Sequence, residues 1–184
     1  MKMSIKKTLA LLLIAVAMPF AAIGQNNNKL QQRLEIVEIE TSEDEMPLQV
    51  FSITVDGHNA YFLTIGNMGI GDNMIQVNVD PFSELFIPLG TTLDEVQASL
   101  EHMRALFDRP KGDTIEVQGC IDIVNPGGTT ETVTVRHYKP LLTHQLEFSV
   151  ERNGFIRAGY VSKSNFKALI RGVKFYRKLH PKQI

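Results

Sequence analysis

Six stretches of this 184-residue chain alternate apolar and polar residues with a period of two, and nothing else in the sequence limits the fold as much. They are FSITV (51–55), YFLTI (61–65), MIQVNVD (74–80), IEVQGCIDI (115–123), TVTVRHY (132–138) and LEFSV (146–150). Successive side chains of a strand point to opposite faces, so strict alternation marks strands that are half buried. LEIVEIE (34–40) matches the pattern less well, and FIRAGYV (155–161) reads as a strand of undetermined face. Asp56-Gly57 and Asn153-Gly154 sit between such runs and read as tight hairpin turns.

Two segments carry a helical period instead. Leu93, Val96, Leu100, Met103 and Phe107 recur three and four apart behind Thr92 and Glu95, which form a capping-box pair, and Pro110 and Gly112 end the run. Phe166, Leu169, Ile170, Val173 and Tyr176 make a second stripe, with Ser162 or Ser164 as its cap and Pro181 as its stop. The expected architecture is α+β, an antiparallel sheet with two helices packed on one face. The element order suggests two ββββα repeats, 33–110 and 111–184, within one domain spanning 33–184. A sheet covered on one side leaves the other wet. Phe51, Ile53, Val55, Tyr61, Leu63 and Ile65 are expected on the covered face. The open face is expected to carry Ser52, Thr54, Phe62, Thr64, Gln76, Asn78, Gln118, Thr132, Thr134, Arg136, Tyr138, Gln145 and Glu147.

The first residues read as a bacterial secretory leader. Lys2, Lys6 and Lys7 precede the apolar run Leu9–Met18, and Ala22-Ile23-Gly24 places small residues for cleavage between Gly24 and Gln25. The run falls short of the ~20 residues a membrane span needs, so residues 1–24 are expected to be removed and the remainder to be periplasmic or secreted and not transmembrane. Gln25 to Gln32 is polar and reads as a flexible leader of the mature chain. The net charge of −1 becomes −4 without the three leader lysines. There is no basic excess to recommend nucleic acid. A single cysteine, Cys120, excludes an internal disulfide and a cysteine-based zinc cluster.

The motifs that carry chemistry are weak. GNMGIGDN (66–73) has clustered glycines but no following Lys and no helix behind it, so it reads as a hairpin loop rather than a phosphate cradle. No cofactor is implied. Cys120 lies beside Asp122, without the electropositive setting that makes a thiol reactive. There is no Gly-x-Ser-x-Gly elbow, and Glu43-Asp44-Glu45 lies in a loop-like acidic run. His137 and His144 share the parity of the inward residues and flank KPLLT, so they can face each other across adjacent strands. As metal ligands they lack a third partner.

Two surfaces remain as candidate binding sites. One is the open sheet face, with Phe62, Gln76, Asn78, Gln118, Arg136 and Tyr138. It suits a protein, peptide or glycan ligand because aromatic and Arg side chains anchor contacts. The other is a stripe of Lys167, Arg171, Lys174 and Lys178 on the acid-free C-terminal helix, which suits an anionic surface. The acidic run Glu35 to Glu45 is available to balance it within the molecule. The sequence therefore favours an exported, non-enzymatic binding domain. A secreted hydrolase acting on cell-envelope or extracellular polymers and a structural component of an envelope assembly are the alternatives.

Overall fold

The computed structural model describes residues 15–16, 30–39, 48–55, 57–66, 68–70 and 84–181. Eight strands of six residues or more appear in it: β1 (Leu30–Ile39), β2 (Leu48–Val55), β3 (His58–Ile65), β4 (Leu85–Gly90), β5 (Thr114–Cys120), β6 (Thr130–Tyr138), β7 (Gln145–Arg152) and β8 (Phe155–Ser162). Helix α1 (Leu93–Arg104) lies between β4 and β5, and α2 (Lys163–Leu179) follows β8. The eight strands lie side by side in chain order, and every pair is antiparallel. An α+β chain with an antiparallel sheet is thus what the sequence folds into.

The sheet curls, and two features require it. Gly69 and Ile70, which follow β3 in sequence, pair with Ala158 and Arg157 of β8 at the far edge. Gly69 and Ile70 of the GNMGIGDN stretch thus pair away from β3; its residues 67 and 71–73 lie outside the described residues. Helix α2, which leaves β8, lies against β1: a Cβ on Gly172 would come 2.6 Å from Cγ1 of Val37. At the other edge Ala15 and Val16, inside the segment read as a secretory leader, pair with Leu34 and Arg33.

One large apolar cluster takes in alternate residues of the strands together with both helices. Leu48 and Val50 of β2, Tyr61, Leu63 and Ile65 of β3, and Leu85, Ile87 and Leu89 of β4 meet Val133 and Val135 of β6 and Leu146, Phe148 and Val150 of β7. Leu93, Val96, Leu100 and Met103 of α1 and Phe166, Leu169, Ile170, Val173 and Tyr176 of α2 belong to the same cluster. Both helix starts are capped as their sequences ask. Thr92 and Glu95 form the full capping box on α1, and the Ser162 hydroxyl accepts from the Asn165 N–H on α2.

The first half departs from the expected faces. Val55 pairs with His58 across the turn, so odd positions of β2 sit opposite even positions of β3, and Phe51 faces Phe62. Ser52, opposite Tyr61, is consequently on the core face. Phe51, Ile53 and Phe62 form a second buried cluster with Cys120 on the outer face, packed against Val55, Ala60, Phe86 and Ile123. The Phe51 and Phe62 rings stack at 5.6 Å, with Phe86 edge-on at 6.2 Å. Phe51, Ile53 and Val55 therefore share neither face nor cluster with Tyr61, Leu63 and Ile65.

Two more strands, β4 and β1, differ from the sequence reading. MIQVNVD (74–80) lies outside the described residues. The strand leading into α1 is LFIPLG, whose Leu85, Ile87 and Leu89 are buried in alternation. β1 spoils its own alternation with register shifts between Leu30 and Gln32 and between Glu35 and Val37, as a bulge does. It starts at Leu30, within the stretch read as a polar leader.

The close approach at Gly172 yields a test. Ala is the better helix former by about 1 kcal/mol, yet a methyl group here meets the stiff, branched Val37 side chain. Overpacking costs about 1–3 kcal/mol. Gly172→Ala should lower the denaturant midpoint, for a net loss of up to about 2 kcal/mol. Val37→Ala in the same chain should recover part of it, giving non-additivity of at least about 0.5 kcal/mol.

Candidate functional site

The outer face splits at the junction of β4 and β5, where a single residue pair, Phe86 with Cys120, registers the two strands. On the β1–β4 side the face is the aromatic cluster just described, edged on β1 and β2 by Arg33, Glu38 and Gln49, with the Arg33 guanidinium 4.1 Å from the Phe51 ring centroid. On the β5–β8 side it is polar. Gln118, Thr130 and Thr132 are exposed, and Thr134, Arg136, Tyr138, Ser149 and Tyr160 are half buried. Thr132 to Tyr138 is six residues along β6, a track of roughly 20 Å at strand rise.

At one end of the track Arg136 anchors a cluster. Its Nη2 donates to Glu147 Oε2 on the neighbouring strand at 2.5 Å, where Arg136 and Glu147 are register partners. The guanidinium carbon lies 5.6 Å from the Tyr138 ring centroid, within cation–π range. Tyr138 and Tyr160 stand 5.1 Å apart, tilted by 47°. The Glu147 carboxylate raises the Arg136 pKa, so the guanidinium stays charged. At the other end an open depression of about 300 Å³ lies over β5 and β6, lined by Glu116, Val117, Gln118, Thr130, Glu131 and Thr132. The track thus offers two aromatic rings, one positive charge and a row of hydroxyl and amide groups on a hydrogen-bonded support.

The predicted residues fare differently. Gln118, Arg136 and Tyr138 share this face. Phe62 is on the outer face but wholly buried between Phe51 and Cys120, because the hairpin register puts it opposite Phe51. Gln76 and Asn78 lie outside the described residues. Tyr160 was missed, although the two-residue turn Asn153-Gly154 pairs Arg152 with Phe155 and so sets Tyr160 against Glu147.

On α2 the basic stripe is divided. Lys174 turns toward α1, and its Nζ donates to Glu101 Oε1 at 2.8 Å. Arg177 pairs with Asp94 and donates to Gln97, and Lys163 lies 3.9 Å from Asp108. The balancing acids thus come from α1 and the turn after it. Glu35 and Glu38 are engaged with Gln49, beside Arg33. Lys167, Arg171 and Lys178 are exposed.

His137 and His144 do meet. His137 Nε2 is 2.9 Å from His144 Nδ1, and His137 Nδ1 is 2.9 Å from the Arg109 carbonyl oxygen. A carbonyl only accepts, so His137 Nδ1 carries the proton. In the neutral pair His137 Nε2 then accepts from the His144 Nδ1–H. Among the described residues no third His, Cys, Asp or Glu joins them to complete a metal-binding group. Desolvation, followed by Lys139, His137 and Lys163, pushes the His144 pKa below its ordinary value. Burial, with Glu131 and Asp122, pushes the Cys120 thiol up to about 11, which keeps it protonated near neutrality.

No family model matches this chain, and comparisons with the curated proteins and with the solved structures found no match. Among the described residues no helix is long and apolar enough to cross a membrane.

The histidine pair gives a pH dependence of known sign. His144 binds a proton less readily folded than unfolded, so its contribution to stability is present above the ordinary pKa of 6.5 and is lost as pH falls through the depressed value. A second proton would also set two N–H groups against each other. The melting temperature should fall as pH drops from 7 to 5, and His144→Gln should flatten that slope. An unchanged slope in the variant would contradict the pairing.

Proposed function

We propose that this protein is an exported, non-enzymatic binding domain whose ligand lies along the outer face of β5–β8. The observation that carries the reading is the Arg136–Tyr138–Tyr160 cluster, with Glu147 holding the guanidinium, at the end of a track of uncharged hydrogen-bonding groups. Aromatic and Arg side chains fixed on rigid strands lose little conformational freedom on contact, which is why they dominate binding energies. The ligand class that suits them is an uncharged, hydroxyl- or amide-rich chain, such as a glycan or an extended peptide. Tyr138 and Tyr160 would stack against it while Gln118, Thr132 and Thr134 exchange hydrogen bonds with it.

Export rests on the leader at residues 1–24, and cleavage before Gln25 would also remove Ala15 and Val16 from the edge of β1. The same reading takes the chain as two ββββα units, 33–110 and 111–184, of which the second carries the Arg136–Tyr138–Tyr160 cluster.

The test is a screen of glycans and peptides against the purified protein, followed by titration calorimetry on whatever binds. Tyr138→Ala and Tyr160→Ala should each weaken binding by at least about tenfold, or 1.4 kcal/mol. Thr54→Ala, on β2, should leave it unchanged. Full affinity in both tyrosine variants would refute the site.

A further inference from the structure

Helix α2 contains no acidic residue. At 3.6 residues per turn, Lys167, Arg171, Phe175, Lys178 and Leu179 fall within an arc of roughly 120°, opposite the Phe166–Leu169–Val173–Tyr176 stripe that enters the core. All five are exposed; Phe175 keeps 47% and Leu179 53% of its surface, although both are large and apolar. Acids on its α1 flank are already engaged: Glu101 with Lys174, Asp94 with Arg177 and Asp108 with Lys163. Among the described residues, Lys167, Arg171 and Lys178 have no ion pair. The outward face of α2 therefore presents three uncompensated cations and two protruding apolar side chains in one strip. Complementing the helix dipole accounts for cations in the last turn, but not for Lys167 near the start or for Phe175 and Leu179.

We propose that this face docks on an anionic lipid bilayer. The helix would lie in the plane of the surface, with Phe175 and Leu179 entering the boundary between headgroups and acyl chains. Lys167, Arg171 and Lys178 would reach lipid phosphates on their flexible stems. Charge complementarity selects an anionic partner. The shape of the strip selects a bilayer over an acidic protein: Phe175 and Leu179 stand out from a helix ridge, and a fluid headgroup layer receives a ridge without a matching groove. This docking does not depend on the sheet-face ligand.

The experiment is co-sedimentation of the full chain with vesicles of phosphatidylcholine alone or mixed with phosphatidylglycerol. The N-terminal apolar run is common to every variant, so differences between variants report on α2. The wild type should partition onto the phosphatidylglycerol vesicles and release as salt rises. Lys167→Glu with Arg171→Glu should weaken partition by at least about thirtyfold, and Phe175→Ala with Leu179→Ala by about tenfold. Lys174→Ala should leave it unchanged, and the exposed variants should keep the wild-type melting temperature. Equal partition by wild type and the charge-reversed variant, or no partition by the wild type, would overturn the proposal. So would equal binding to soluble polyglutamate with no contribution from Phe175 and Leu179, which would point to an acidic protein.

Discussion

Where Gly172 meets Val37, the last helix touches the first strand, and the architecture depends on that contact. Ser162 ends β8 and caps α2 in the same residue, so no loop separates strand from helix. The helix must bury Phe166, Leu169, Val173 and Tyr176, each contributing about 1.5–3 kcal/mol on full burial. The sheet offers them a complete apolar surface only by curling until β1 comes within reach of α2. A residue with a Cβ at 172 would hold the helix off Val37. The same curl brings Gly69 and Ile70 to the edge of β8.

Alternate strand residues join both helices in the main apolar cluster, and the opposite, outer face divides at its narrowest seam. Phe86 and Cys120 alone register β4 with β5, and Arg152 reinforces the join from the core side. Its guanidinium grips Glu131 through Nε and Nη2 and donates from Nη1 to the carbonyl of Glu84, just ahead of β4. Both charged side chains are nearly buried, a setting in which loss of one partner is costly because it strands the other. On one side of this seam the outer face is stacked phenylalanine, with Arg33 laid over Phe51 at the β1 edge; on the other it is threonine, glutamine, tyrosine and arginine. The binding reading rests on the second half, where hydrogen-bonding groups surround the Tyr138 and Tyr160 rings; on the first half Arg33 covers Phe51 and is tied through Gln49 to Glu38.

Much of this was legible in the residues. Alternation located β2, β3, β5, β6 and β7, and Thr92 with Glu95 located the start of α1. The faces of β2 and β3 were legible too. A two-residue turn at Asp56-Gly57 pairs Val55 with His58, and that arithmetic alone sets Phe51 opposite Phe62. Apolar residues on both parities concealed it, since each strand looks one-sided when read by itself. β1 was obscured by its register shifts, and β4 by Pro88, a residue that argues against a strand interior, although Leu85, Ile87 and Leu89 alternate cleanly. The division of the basic stripe could not be read from α2 at all. Helical spacing groups Lys174 with Lys167 and Lys178, and only the tertiary position of Glu101 separates them.

The central claim, that one outer face is sealed on the β1–β4 side and open on the β5–β8 side, can be measured directly by thiol labelling. Cys120 has no exposed surface and sits against Phe51 and Phe62, whereas Thr132, on the adjacent strand, is exposed. In native buffer a thiol reagent should leave Cys120 unreacted until denaturant unfolds the chain, while Thr132→Cys in a Cys120→Ser background should label at once. Native Cys120 that reacts as fast as the residue 132 thiol would show that the aromatic half of the outer face is open, and the account would fail there.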